Sequence, residues 1–310
     1  MRPFRFALGG DAPTADGWRE LARRTEDLGY DTLFVADHYH LPAGNSGYPV
    51  QHLAPIAALM AAAAWTTTLR VGTRVFCIDY HVPVALAKEA ATVDLLSGGR
   101  LLLGLGCGWH EAEYASMGLT FAAPRDRVQK LEEAVALMKA HFSGEPVELD
   151  GEVLQVHDYV GAPLPAQRPY PEIMIGGSKK RLLSLAGREA DTVSLSNVVQ
   201  AGVDTRAEIA RQMGDVRAAA GPRANDLDVE LMAVYVEITE DREAALGRAA
   251  GAFGVAVDEL RDHPLVLAGT VEHVVEQLEE QRESLGVNLR TVPHHFVEAF
   301  APVVERLGGA

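Results

Sequence analysis

Along the chain, short apolar runs alternate with longer stretches in which apolar positions recur every three or four residues, and that alternation predicts the elements. Residues 4–8 read as a first strand ending in Gly9-Gly10, and 17–28 as an amphipathic helix closed by Gly29. A second buried strand follows at 32–36, an alanine-rich helix at 52–65 and a third strand at 69–75. Pro83 is placed to start a helix over 83–96, because its fixed φ suits the first helical turn, and 100–106 is the fourth strand. A longer excursion comes next. A strong helix covers 125–142, residues 146–159 alternate about Asp150-Gly151 as a hairpin does, and 163–171 is a proline-rich return. Strand five at 172–176, a helix at 179–189, strand six at 192–195 and a helix at 206–220 restore the alternation. Residues 228–238 read as one long seventh strand, and 241–254 and 258–262 as helix. An amphipathic helix at 271–285, an eighth strand at 289–292 and a closing helix at 296–307 complete the chain.

Eight strand–helix alternations with mostly continuous apolar strands imply an α/β fold, a parallel sheet closed into a TIM-type (β/α)8 barrel. A doubly wound open sheet would place one glycine fingerprint after its first strand, whereas glycines here mark strands one, four and five. No repeat, linker or low-complexity segment breaks the pattern, so residues 1–310 read as a single domain. Residues 111–170 form an insertion after strand four, too long for an ordinary βα loop and expected to cover the barrel mouth.

The glycines concentrate between Ala91 and Glu113. Ser97-Gly98-Gly99 stops a helical pattern, since glycine reaches the left-handed dihedrals that a helix end needs. Gly104, Gly106 and Gly108 then stand at alternate positions around the end of strand four. Each weakens a strand unless something approaches the backbone closely. A tightly packed βα turn and a flat cofactor lying on that backbone both meet the requirement.

Composition narrows the class. Hydrophobic residues make up 48% of the 310 residues and charged ones 23%, enough for a large core. The net charge of −15 argues against nucleic acid or an anionic membrane as partner. The longest apolar stretch, 53–65, is broken by Pro55 and too short to span a bilayer. Cys77 and Cys107 are too few for a disulfide framework, and with no charged-then-apolar leader they fit an expected reducing cytoplasm.

In a barrel, chemistry sits at the C-terminal strand ends. Asp37-His38-Tyr39-His40 follows strand two; taken alone, Asp37 caps the next segment and His38 packs. His38 and His40 also match the HxH of a metal-dependent hydrolase. That chemistry needs further ligands at later strand ends, where Cys107, Ser196 and Val292 stand instead, so no metal is expected. Cys107 lies between glycines with no histidine at fixed spacing, a small lining residue rather than a nucleophile. Trp109 and His110 come next, then Glu111 and Glu113 on a helix start, where acids are stabilised anyway. After strand five, Gly176-Gly177-Ser178-Lys179 opens a helix. A glycine turn, a helix N-terminus and nearby cations make an anion site, against the plainer alternative of a capped helix with a solvated basic face. Tyr39, Phe76 and Trp109, with Tyr48, Tyr80 and Tyr114, are aromatics available to line an apolar mouth. His52, Pro83, Asp94 and Arg100 read as structural.

The run Ser97-Gly98-Gly99-Arg100 followed by LLLGLGCGW resembles the bacterial luciferase-like flavin-dependent superfamily. Further blocks, from residue 4 to about 307, are similar to its actinobacterial deazaflavin branch, the coenzyme F420-dependent oxidoreductases. The resemblance implies a cofactor ring against Asp37 and His38 and over Gly106, Cys107 and Gly108. It also implies a cis peptide between Arg74 and Val75 behind the ring, and the cofactor phosphate on Gly176-Gly177 with Ser178 and Lys179. The sugar-phosphate dehydrogenase of the branch has a glutamate where Trp109 stands, so the resemblance does not carry glucose 6-phosphate over as substrate. Gly269-Thr270 is similar to a GT(P)E block without its proline. Family members dimerise through outer helices near residues 52–65, whose many alanines permit close helix approach, so a homodimer is expected.

The expected activity is therefore hydride transfer between coenzyme F420 and a small organic substrate, with His38, His110 and Glu113 as candidates for the proton-handling group. A reduced-FMN-dependent monooxygenase is the alternative, and a non-catalytic flavin- or deazaflavin-binding protein the reading from another class.

Overall fold

The computed structural model describes residues 2–39 and 51–308, so His40 and Tyr48 lie outside the described residues. The elements begin with β1 (Arg5–Gly9), α1 (Ala15–Asp27), β2 (Thr32–Val35), α2 (Pro55–Trp65), β3 (Arg70–Thr73), β4 (Phe76–Cys77), α3 (Pro83–Ser97) and β5 (Leu101–Gly106). The excursion holds α4 (Glu111–Ser116), α5 (Pro124–Ser143) and the hairpin β6 (Pro146–Asp150) and β7 (Gln155–Val160). Then come β8 (Glu172–Gly177), α6 (Lys180–Glu189), β9 (Thr192–Leu195), α7 (Thr205–Ala220), β10 (Asp228–Met232), β11 (Tyr235–Ile238) and α8 (Arg242–Phe253). β12 (Val266–Gly269), α9 (Val271–Leu285), β13 (Leu289–Pro293) and α10 (Val297–Leu307) close the chain.

The main sheet runs β3-β2-β1-β13-β10-β9-β8-β5-β4, and a further pairing of β3 with β5 returns it to its start. This is the expected (β/α)8 barrel, with β4 prolonging β3. Two expectations need correction. The third strand is interrupted: β3 ends at Thr73 and β4 begins at Phe76, with the cis Arg74–Val75 bond between them. The seventh strand is two: Ala233 N–H still bonds Thr291 O (2.8 Å), but Val234 N–H bonds Leu265 O (2.9 Å). From there β11 pairs in parallel with β12, a strand over 266–269 that is not among the eight expected.

By packing, the chain divides into two compact units: Met1–Gly9, Arg24–Thr32 and Gly176–Ala310, and Gly10–Arg23 with Leu33–Ile175. In the second, β5 pairs in parallel with β3, β4 and β8. Gly104 is there because β3 comes so close. A Cβ at Gly104 would lie 1.9 Å from Thr73 O, and Thr73 Oγ1 donates to Gly104 O at 2.9 Å. Protein backbone, rather than a ligand, accounts for this glycine.

At the opposite, N-terminal end of β5 the Ser97-Gly98-Gly99-Arg100 run forms a knot. Gly98 (φ 73°) and Gly99 (φ 84°) turn the chain out of α3 through left-handed conformations that only glycine adopts cheaply. Arg100 then donates to Ala63 O (2.7 Å), Leu69 O (2.8 Å) and Ser97 O (2.7 Å), joining the ends of α2 and α3 to the start of the strands. Buried Asp94 accepts from Gln167 N (2.8 Å) and Gln167 Nε2 (2.6 Å), tying the end of the excursion to the same floor. The hairpin is held separately: Glu133 on α5 accepts the N–H groups of Glu152, Val153 and Leu154 at 2.7–3.0 Å.

In the first unit, β1 pairs with β13, β13 with β10 and β10 with β9, all parallel. Buried Asp228 sits at the start of β10 and takes Arg5 Nη1 (2.8 Å), Asn288 Nδ2 (2.8 Å) and Arg2. Buried carboxylates of this kind need partners to offset desolvation. No helix among the described residues is long and apolar enough to cross a membrane.

Candidate active site

The ends of β2, β4 and β5, all in one unit, bring Asp37, His38, Cys77 and the start of α4 together. Glu113 is the centre. It lies in the first turn of α4, its side chain is fully buried, and its carboxylate accepts from three directions. Tyr39 N–H donates at 2.5 Å, Tyr80 O–H at 2.9 Å, and His38 Nδ1 lies 2.9 Å from Oε2. A carboxylate so supplied with donors is stabilised as the anion, so His38 carries its proton on Nδ1 and leaves Nε2 outside the pair. The imidazole side chain is 20% exposed. Its ring meets Trp109 edge to face, centroids 5.9 Å apart, and Trp109, 53% exposed, lies against His110 at 4.9 Å. His110 Nε2 is buried with no hydrogen-bond partner among the described residues.

Asp37 is buried on the next face. Its Oδ2 accepts from Cys77 N–H (3.0 Å) and pairs with His81 Nε2 (2.8 Å), while Oδ1 has no partner among the described residues. An acceptor buried without a donor is costly, and an N–H or O–H at the edge of a bound ring would satisfy it. This one acceptor fits a ring of flavin type that presents an N–H at its edge. The cis Arg74–Val75 peptide stands just before Phe76, which is fully buried against His81 (centroids 5.2 Å). Phe76 is a wall of the core rather than an exposed pocket residue, whereas Tyr39 is 51% exposed and meets Tyr80 at 5.8 Å.

Below this layer Tyr114 O–H donates to Asp79 Oδ2 (3.0 Å) and lies 3.2 Å from Cys77 Sγ. Asp79 also pairs with Lys130 Nζ at 3.1 Å. Burial pushes the Cys77 thiol up to about 12, and burial raises Cys107 as well, against the lowering effect of Arg127. Neither is poised as a thiolate nucleophile. Burial, then the neighbouring Cys77, raises Tyr80; burial, then the Cys77 bond, raises Tyr114, so both phenols are donors. Gly108 (φ 72°) fits under them, since a Cβ there would fall 1.9 Å from Tyr114 Oη. Arg127 holds the turn by donating to Cys107 O (3.0 Å) and Gly108 O (2.6 Å).

The glycine turn belongs to the other unit. Gly176 and Gly177 end β8; Ser178 and Lys179 lead into α6, whose N-cap, Lys179, makes no side-chain cap bond. Its first N–H groups meet no capping side chain, and Lys179, Lys180 and Arg181 are exposed beside them. This donor set fits a phosphate. Gly177 also has a packing reason, because a Cβ would lie 2.3 Å from Leu182 Cδ2. Among the described residues no group of three His, Cys, Asp or Glu side chains gathers as a metal site.

The structure thus brings together Asp37, His38, Glu113 and Trp109 from the sequence candidates. It adds His81, which sequence reasoning missed, and gives Tyr80 and Asp79 definite partners. The only available signal was that all three belong to the segment after strand three, Ile78-Asp79-Tyr80-His81.

Residues 2–255 match the luciferase-like monooxygenase family. The chain belongs to that family. Within it, the chain is 31% identical over 248 residues to an F420-dependent glucose-6-phosphate dehydrogenase of Nakamurella multipartita, covering 79% of this chain and 70% of that one. It is 26% identical over 162 residues to an FMNH2-dependent dimethylsulfone monooxygenase of Pseudomonas putida, covering 52% of this chain and 43% of that one. The chain spans less than two thirds of most of the curated relatives it matches, 64% for the mycobacterial ones. Among solved structures, the coenzyme F420-dependent tetrahydromethanopterin reductase of Methanopyrus kandleri shares this fold with a TM-score of 0.77 at 18% identity, over 99% of this chain and 100% of that one.

Proposed function

We propose that the chain is a coenzyme F420-dependent oxidoreductase that exchanges hydride with a small organic substrate, His38 handling the proton. The observation that carries this is His38, bonded through Nδ1 to a buried carboxylate at the strand ends, beside an Asp37 Oδ1 that has no partner among the described residues. The match over 248 residues to an F420-dependent glucose-6-phosphate dehydrogenase supports deazaflavin over FMN. When bound, the deazaflavin supplies the hydride-carrying ring. Asp37 Oδ1 would accept from the ring edge, and Trp109 would exclude water beside His38; the Gly176-Gly177-Ser178-Lys179 turn, in the other unit, fits a phosphate. His38 Nε2 would take or give the proton at the substrate atom, as general base or acid. Glu113, with its lone pairs occupied by protein donors, orients His38 instead of meeting substrate.

Fluorescence titration with deazaflavin and with FMN tests the reading: deazaflavin should bind at least tenfold more tightly, a gap of about 1.4 kcal/mol. The reduced-FMN monooxygenase reading rests on the family description and on the Pseudomonas relative. Tighter FMN binding, with oxygen consumption when reduced FMN is supplied, would establish it instead. We further propose a homodimer in which a second copy covers α2.

A further inference from the structure

Two neighbouring pairs, Asp79-Tyr80 and Glu113-Tyr114, exchange partners crosswise. Tyr80 O–H donates to Glu113 at 2.9 Å, and Tyr114 O–H donates to Asp79 at 3.0 Å. Each carboxylate is thus bound by the phenol of the other pair. Asp79 and Tyr80 sit in a single 3-10 turn, Ile78–Tyr80, directly after β4, and Glu113 and Tyr114 sit in α4. α4 has six residues and no side-chain N-cap, far below the length at which a helix holds itself in water. What fixes α4 is therefore this exchange, extended by Lys130 on Asp79 (3.1 Å) and by Cys77 against Tyr114 (3.2 Å).

We infer that Tyr80 and Asp79 are positioning residues, which lock α4 so that Glu113 meets His38 Nδ1 and a single tautomer of His38 is presented. The inference rests on the reading of His38 as the proton-handling group, but its geometry stands without any cofactor. Tyr80 and His38 converge on the same carboxylate oxygen, Oε2. That oxygen cannot turn away from His38 without giving up the phenol as well. Tyr39 N–H on Oε1 closes the other side, so the carboxylate is held at both oxygens. His38 then loses the freedom to place its proton on Nε2, where it would block acceptance of a substrate proton.

The test is the imidazole tautomer of His38, read by two-bond 1H–15N correlation on 15N-histidine-labelled full chain. The signal among the 11 histidines is assigned with His38→Gln. Wild type should show the Nδ1–H form. Tyr80→Phe should raise the Nε2–H fraction at least tenfold, and Asp79→Asn should do so to a lesser extent through α4. Glu148→Gln, on the hairpin, should leave it unchanged. A folded Tyr80→Phe protein with the wild-type tautomer would overturn the inference, as would an Nε2–H tautomer in wild type. Should Tyr80→Phe fail to fold, Asp79→Asn decides by the same readout. A protein that binds no deazaflavin yet shows this tautomer pattern would sink the cofactor assignment and leave the positioning role standing.

Discussion

His38 has one ring nitrogen committed to Glu113 and one outside the pair, so its side chain separates chemistry from scaffolding. His38→Ala should lower the single-turnover rate of deazaflavin oxidation by about 10²–10⁴, the usual range for a lost general acid or base, with little loss of cofactor affinity. Lys179→Ala should do the reverse, weakening binding and sparing the saturated rate. An unchanged rate in the first variant would remove His38 from the reaction. The cysteines give a simpler check. Both are free, and burial keeps both thiols protonated. A thiolate-directed reagent at pH 8 should therefore modify the native protein slowly and the denatured protein at two sites. At this scale the sequence showed residue types but not their pairings. Asp37, His38 and Glu113 were visible as strand-end polar groups. His81 was not, and Tyr80 showed only as an aromatic, because their partners lie 44 and 33 positions away in the chain.

Elements were more legible than residues. Continuous apolar strands and periodic helices declare themselves, and α3, α5 and α9 all end within a residue of the expected positions. The interruption of strand three leaves no mark, since the geometry of one peptide bond is not a residue type. The division of strand seven is equally hidden: Met232-Ala233-Val234-Tyr235 stays apolar while the backbone changes neighbours. β12 was legible in principle as an apolar run ending in Gly269. Gly104→Ala tests the close approach of β3 and β5. It should destabilise the fold by about 1–3 kcal/mol through overpacking, read as a fall in melting temperature, without a specific effect on cofactor binding once folded. The hairpin should respond to acid. Burial pushes Glu133 up, but Gln129 and three backbone N–H groups outweigh it, and its carboxyl lies below the ordinary 4.5. A depressed folded value means the contribution is complete above the unfolded pKa and lost as pH falls through the folded one. Amide-exchange protection at Glu152, Val153 and Leu154 should therefore drop below about pH 4.5, and Glu133→Gln should remove that pH dependence.

For the whole molecule, α2 poses the clearest question. The helix contains no charged residue, yet Ala57 and Ala64 are exposed, as are Leu95 (45%) and Leu96 (65%) on α3. A helix apolar all round is normally covered, and two-fold pairing buries such a face twice. Light scattering at micromolar concentration should give twice 33.3 kDa; a mass of 33.3 kDa would refute the pairing.

The Arg100 knot has a consequence of a different kind. The run that makes this chain recognisable, Ser97-Gly98-Gly99-Arg100, is spent on clasping α2 and α3 beneath the strands, at the end away from His38 and Trp109. The badge of kinship and the tools of the trade are thus at opposite poles of the same strand. If substrate meets Tyr39 and Trp109, as the sequence reading expects, a lineage could exchange what it acts on by changing either while its badge stays intact. Kin sorted by the badge will look alike and differ in diet, and only the residues at the far pole can tell them apart.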